Sequence, residues 1–353
     1  PLKKKKSTKI AVIGRFVNGE PTGGGGSSFI KQGYPGKAIQ QELLEAYPQS
    51  KIRSYSGHWY KCRDISSYVS SCDVVIVSVG FTHVDESEAY DRRWTLHKSD
   101  VENIVRASKM NPKTVVITHS GGAIEMPSWI QLPKAVIFGW YTGEYSAQVL
   151  RQLLFGEFSP SGRLPITIGR KLSDYASMKG YPEDFARFSL KRAAKGQGNP
   201  NVRTVWDIPY DEKLMVGYRQ FDTIGPEPLY PFGFGLSYST FTLDDLEVTK
   251  EVSTIEVSLY ITNTGEVDSA QVVQLYVRPE KPQSGDAFQQ LKGFERVFVK
   301  KHEKKGLSFT LDKGAFTYWD ETEGAYVVDS KPYTICLGFS SREILLTSEV
   351  LSI

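Results

Sequence analysis

Three carboxylates, Asp85, Glu86 and Glu88, stand almost side by side in the stretch Gly80-Phe81-Thr82-His83-Val84-Asp85-Glu86-Ser87-Glu88-Ala89-Tyr90-Asp91-Arg92. Like charges this close repel, and repulsion raises the pKa of at least one of the acids. A carboxyl group that stays protonated near neutrality is what a general acid requires. Acid–base chemistry is therefore the first expectation for this stretch. The bland alternative is a solvated acidic loop paired with Arg92 and Arg93.

Position favours the chemistry. The preceding run Asp73-Val74-Val75-Ile76-Val77-Ser78-Val79 is apolar and β-branched, which predicts a strand buried on both faces. The acidic cluster then lies just past the carboxyl end of a strand, the edge at which open α/β sheets bind ligands. Further strands are predicted at 9–14, 52–55, 114–118 and 134–140, and helices at 36–46, 98–109 and 145–155. Ser99 is the expected N-cap of the second of these helices. This alternation implies a mostly parallel sheet with helices on both faces, an α/β sandwich over 9–170.

A long polar segment and an aromatic-glycine turn region occupy 171–240, and residues 1–8 have the character of a linker. Beyond Phe241 the apolar period changes to two. Thr254-Ile255-Glu256-Val257-Ser258-Leu259-Tyr260-Ile261-Thr262 alternates, turns at Asn263-Thr264-Gly265, and is followed by similar runs at 272–277, 294–299, 307–311 and 333–338. Short alternating strands at these intervals predict an immunoglobulin- or fibronectin III-like β-sandwich over 241–353. The fold class is thus α/β followed by all-β.

Other chemistries are disfavoured. The glycine-rich turn Thr22-Gly23-Gly24-Gly25-Gly26-Ser27-Ser28 follows a strand, but the spacing of a dinucleotide fingerprint is absent. His119-Ser120-Gly121-Gly122 offers only half of a nucleophile elbow and is read as a strand-end turn. None of the five histidines has nearby acids at ligand spacing, so no metal and no cofactor is expected. Cys62, Cys72 and Cys336 match neither a disulfide framework nor a zinc site, and are read as thiols. The net charge of +3 over 353 residues, with one basic run at Lys3 to Lys6 and Lys9, gives no reason to expect nucleic acid. No apolar stretch is long enough to span a bilayer, so no membrane partner is expected either. The chain starts at Pro1, which leaves a targeting sequence upstream open; secretion or the periplasm is the expected location, and a homodimer is left open.

In order, these motifs resemble the carboxy-terminal two-thirds of a family 3 glycoside hydrolase of the β-glucosidase group. The resemblance is carried by Ile10-Ala11-Val12-Ile13-Gly14, Gly24-Gly25-Gly26-Ser27-Ser28, Glu86-Ser87-Glu88-Ala89-Tyr90-Asp91-Arg92, Ser159-Pro160-Ser161-Gly162-Arg163-Leu164-Pro165, Pro231-Phe232-Gly233-Phe234-Gly235-Leu236-Ser237-Tyr238 and Leu291-Lys292-Gly293-Phe294. It implies a retaining mechanism that uses two carboxyls. The aspartate nucleophile is expected on an amino-terminal barrel that this chain lacks, and the acid/base on a loop of the α/β sandwich. The family's acid/base glutamate falls on Glu88, with Glu86 the second choice. His83 and Asp85 are expected near the sugar, and Asp91 and Arg92 are expected to position the loop by pairing with each other or with the barrel. Ala89 replaces the family's usual glycine. The implied partners are the barrel, as a domain or a separate chain, and a β-linked glucoside or oligosaccharide. The competing reading is a non-catalytic carbohydrate-binding or accessory module of the same descent.

Overall fold

The computed structural model describes residues 1–2, 7–30, 37–88, 92–179, 209–280, 286–328 and 331–351. They form two compact units, the first Pro1–Glu157 with Arg170–Leu172, the second Phe158–Gly169, Ser173–Lys179 and Tyr210–Ile353.

The first unit is built on a five-stranded, all-parallel sheet of β1 (Lys9–Gly14), β2 (Lys51–Tyr55), β3 (Val74–Gly80), β4 (Thr114–His119) and β5 (Ala135–Phe138), ordered β2-β1-β3-β4-β5. β3 and β4 are buried along their whole length and β1 along all but its first residue, as valine- and isoleucine-rich strands covered on both faces should be. β5 is shorter and more exposed than the predicted run because it is the edge strand.

Helix α1 (Ile39–Ala46) packs with α4 (Ser146–Leu154), and Arg151 Nε bonds Glu42 across them at 2.9 Å. Helix α2 (Arg63–Ser70) packs with α3 (Lys98–Met110). α2 was not anticipated, because its serine-rich sequence buries only Tyr68 and Val69. The predicted Ser99 cap does not form. α3 begins at Lys98, as the predicted span does, with His97, two residues before Ser99, at the cap position.

The second unit is antiparallel. One sheet is ordered β10 (Lys304–Leu311), β7 (Ile255–Asn263), β6 (Phe241–Lys250), and the other β14 (Ile344–Leu351), β13 (Pro332–Gly338), β8 (Ser269–Pro279), β9 (Gln290–Val299). The inward residues Ile255, Val257, Leu259 and Ile261 of β7 meet Val273, Leu275 and Val277 of β8 in one apolar core. β6 escapes the period-two reading because Asp244-Asp245 interrupts it. Asp245 sits at φ +52 and the register with β7 shifts there. A helical turn α5 (Tyr218–Thr223) and a hairpin of β11 (Thr317–Asp320) and β12 (Ala325–Val328) complete the unit. Among the described residues the three cysteines are free thiols, and no helix is long and apolar enough to cross a membrane.

The order of the parallel sheet reverses between β1 and β3, the switch point at which open α/β sheets carry their sites, and the loops leaving these two strands meet at their carboxyl ends. Gly80 closes β3 at that edge with φ +140, and a Cβ there would lie 2.0 Å from the His119 carbonyl oxygen. Both the dihedral and the contact demand glycine. Gly80→Ala is expected to destabilise the first unit by about 2 kcal/mol or more, read from the shift of its urea midpoint; an unchanged midpoint would show that the strand end yields without cost.

Candidate active site

The acid loop leaves β3 and packs backbone to backbone against the glycine-rich loop that leaves β1. Gly25 N–H donates to the Glu86 carbonyl at 2.5 Å, and a Cβ on Gly25 would come within 2.1 Å of the His83 carbonyl oxygen. Any side chain there would force the loops apart, which explains the glycine at this position.

The three carboxylates turn in three directions. Asp85 accepts from Thr82 N–H at 3.0 Å, Thr82 Oγ1 at 2.9 Å and His97 Nε2 at 2.8 Å, with Arg15 NH1 at 3.4 Å. Burial alone would raise its pKa, but the Thr82 and His97 bonds outweigh burial and leave it lowered. Glu86 points into the domain with its side chain 12% exposed. It accepts from Arg92 Nε at 2.8 Å, Gly121 N–H at 2.8 Å and Tyr141 OH at 2.6 Å. The Tyr141 hydroxyl is driven up in pKa by burial and then by the Glu86 carboxylate.

Glu88 alone faces outward. It accepts from Ser27 N–H at 3.0 Å and from the Ser27 hydroxyl. These two bonds lower its pKa, the hydroxyl having the larger effect.

The expected mutual repulsion is therefore not what governs the cluster. Asp85 and Glu88 are both more acidic than usual because each has donors of its own, Asp85 in Thr82 and His97 and Glu88 in Ser27. Asp85, expected near the sugar, spends both carboxylate oxygens inside its own domain. Glu86, the second choice for the acid, is likewise bonded inward. Arg92, expected to pair with Asp91 or with the barrel, bonds Glu86 and donates to the Ala123 carbonyl at 2.7 Å. His83 is exposed, edge-on to Phe29 with ring centroids 5.4 Å apart. Asp91 and Ala89 lie outside the described residues. Ser27, Gly121 and Tyr141 were not singled out from sequence as partners of the acids. Only the glycine-serine motif hinted at the first. Among the described residues no cluster suited to a metal ion occurs.

Residues 1–238 match the model of the glycosyl hydrolase family 3 C-terminal domain, and residues 271–341 that of the fibronectin type III-like domain. The chain belongs to glycoside hydrolase family 3. It is 34% identical over 98% of its length to thermostable beta-glucosidase B of Acetivibrio thermocellus, covering 45% of that protein. It is 31% identical over 97% of its length to an exo-alpha-(1->6)-L-arabinopyranosidase of Bifidobacterium breve, covering 44% of it. The solved family 3 beta-glucosidase of Bifidobacterium adolescentis superposes with a TM-score of 0.84 at 30% identity, over 98% of this chain and 49% of that one. This family 3 chain thus spans less than half the length of these relatives, and it corresponds to their carboxy-terminal part.

A further buried acid shares Arg15 with Asp85. Asp100, in the first turn of α3, is buried 3.4 Å from Arg15 Nε, and burial pushes its pKa up to about 6 against the pull of Arg15 and His97. The folded chain therefore holds this proton more tightly than the unfolded chain does. Stability should fall as pH rises from about 4 to about 6 and then level off, a loss of about 3 kcal/mol from this group. Asp100→Asn is expected to be more stable than wild type at neutral pH and to lose this slope. Urea unfolding across that window checks it, and parallel curves for the two proteins would contradict it.

Proposed function

We propose that the chain supplies the general acid/base of a retaining glycosidase, with Glu88 as the proton carrier and β-glucosides or β-glucan oligosaccharides as substrates. The observation carrying this reading is that Glu88, of the three clustered acids, is the one whose carboxylate is exposed at the switch point of the sheet.

Retaining hydrolysis needs a second carboxyl roughly 5 to 5.5 Å from the first, and we assign it to the barrel that precedes this region in the family. Glu88 would protonate the glycosidic oxygen as the bond to the leaving alcohol breaks and the barrel aspartate bonds to the anomeric carbon. It would then take a proton from water as the water oxygen replaces the aspartate. The two steps regenerate both carboxyls.

The lowered pKa of Glu88 in this chain bears on the first step, because an acid must begin protonated. Docking of a barrel would bring the nucleophile's negative charge close and remove water, and both effects raise a carboxyl pKa. The acid is thus switched on by the partner that supplies the other half of the site. The choice of sugar would rest mainly with barrel residues, in keeping with the different sugars named for two relatives that match almost the whole chain.

Glu88→Ala in the barrel-containing enzyme tests the assignment. Turnover should fall about 10²- to 10⁴-fold, least in the first step for substrates with good leaving groups, and azide should restore part of it. Equal loss on all substrates with no effect of azide would contradict it.

A further inference from the structure

We infer that Glu20 and His119 share one proton in a buried pair that positions the acid loop, so that both are positioning residues for Glu88. The inference rests on the reading of Glu88 as the acid/base.

Glu20 lies in the loop after β1 with its side chain 1% exposed, and His119, the last residue of β4, is fully buried. His119 Nε2 and Glu20 Oε2 are 2.8 Å apart, and the Ser78 hydroxyl of β3 is 3.2 Å from both atoms. His119 Nδ1 faces the Trp140 carbonyl oxygen, just past β5, at 3.2 Å. The edge of Phe16 closes the pocket, its ring centroid 5.2 Å from that of His119.

Counting hydrogens gives the protonation. A carbonyl oxygen only accepts, so Nδ1 carries a hydrogen. If Nε2 were bare and Glu20 ionised, two lone pairs would face each other at 2.8 Å without water between them, the costly case of unpaired buried polar atoms. A proton must therefore lie in that contact, on Nε2 or on Oε2. Ser78 has only one hydrogen to give and cannot fill both needs.

This pair joins the segments that hold the acid loop. Downstream of Glu20 the same loop provides Gly25, bonded to the Glu86 carbonyl, and Ser27, bonded to Glu88. On the other side, Trp140 adopts φ +48, a conformation unfavourable for a bulky residue, and precedes Tyr141, which bonds Glu86. Its carbonyl bond to His119 compensates for that conformation. One buried contact thus fixes the loops after β1 and β5, and each of them touches the loop carrying Glu88.

Nitrogen and carbon NMR of the 353-residue chain is the test. In the wild type, His119 should be protonated at Nδ1, with one further proton on either Nε2 or the Glu20 carboxyl. An imidazole protonated only at Nδ1 beside an ionised Glu20 overturns the inference, and this arm needs no variant. Glu20→Gln, whose amide can donate to Nε2, should leave the Ser27 and Glu88 amide signals and the low carboxyl titration of Glu88 in place. Glu20→Ala should shift those signals and move the Glu88 titration up toward that of an ordinary glutamate. An unmoved titration in Glu20→Ala, or equal disturbance in Glu20→Gln, overturns the positioning role. These readouts do not involve turnover, so a failed assignment of Glu88 as acid would show in kinetics while leaving them intact.

Discussion

The site depends on one inward-facing carboxylate. Glu86 is bonded to a backbone N–H of the loop after β4, to a tyrosine hydroxyl from the loop after β5, and to Arg92 on the far side of its own loop. Buried carboxylates are tolerated only when such donors replace water. Meeting that requirement draws three strand-end segments to one point. With Glu86 committed inward, the same loop presents Glu88 on its other side, where it meets Ser27 and solvent.

The arrangement explains how adjacent acids in one loop can serve opposite ends. Asp85 and Glu86 are anchors, each held by cations or polar donors of its own domain, and Glu88 is the one of the three left exposed. The acidity of Glu88 then follows from its hydrogen bonds to Ser27 and not from the carboxylates that precede it in the loop. A carboxyl held this way stays ionised, which leaves it without the proton a first step needs, and its lowered pKa also makes it a weaker base for a second. Under the proposed function, the charge of a partner barrel and the exclusion of water would raise this pKa and complete the tuning.

Much of this was legible in the amino-acid sequence. Val74-Val75-Ile76-Val77 could only be a doubly covered strand, which placed the acidic stretch at the ligand-binding edge, and the period-two runs from Thr254 onward announced the sandwich. The directions of the three carboxylates were not legible. They depend on Ser27, sixty-one positions before Glu88, and on Tyr141, fifty-five beyond Glu86, and charge spacing along a chain carries no information about such distant donors. The local acidic pattern suggested repulsion, and the fold answered with separate partners. His119 was passed over for a related reason. Its motif was weighed as a nucleophile's neighbourhood, whereas its buried bond is to a glutamate in another loop.

The central claim is that Glu88 is a proton donor tuned by a partner domain. Carbon NMR titration of the Glu88 carboxyl, in this chain and again in the barrel-containing enzyme, tests it most directly. The account predicts a value below that of an ordinary glutamate in the chain and one raised toward neutrality in the whole enzyme. A titration that stays equally low in both would contradict it.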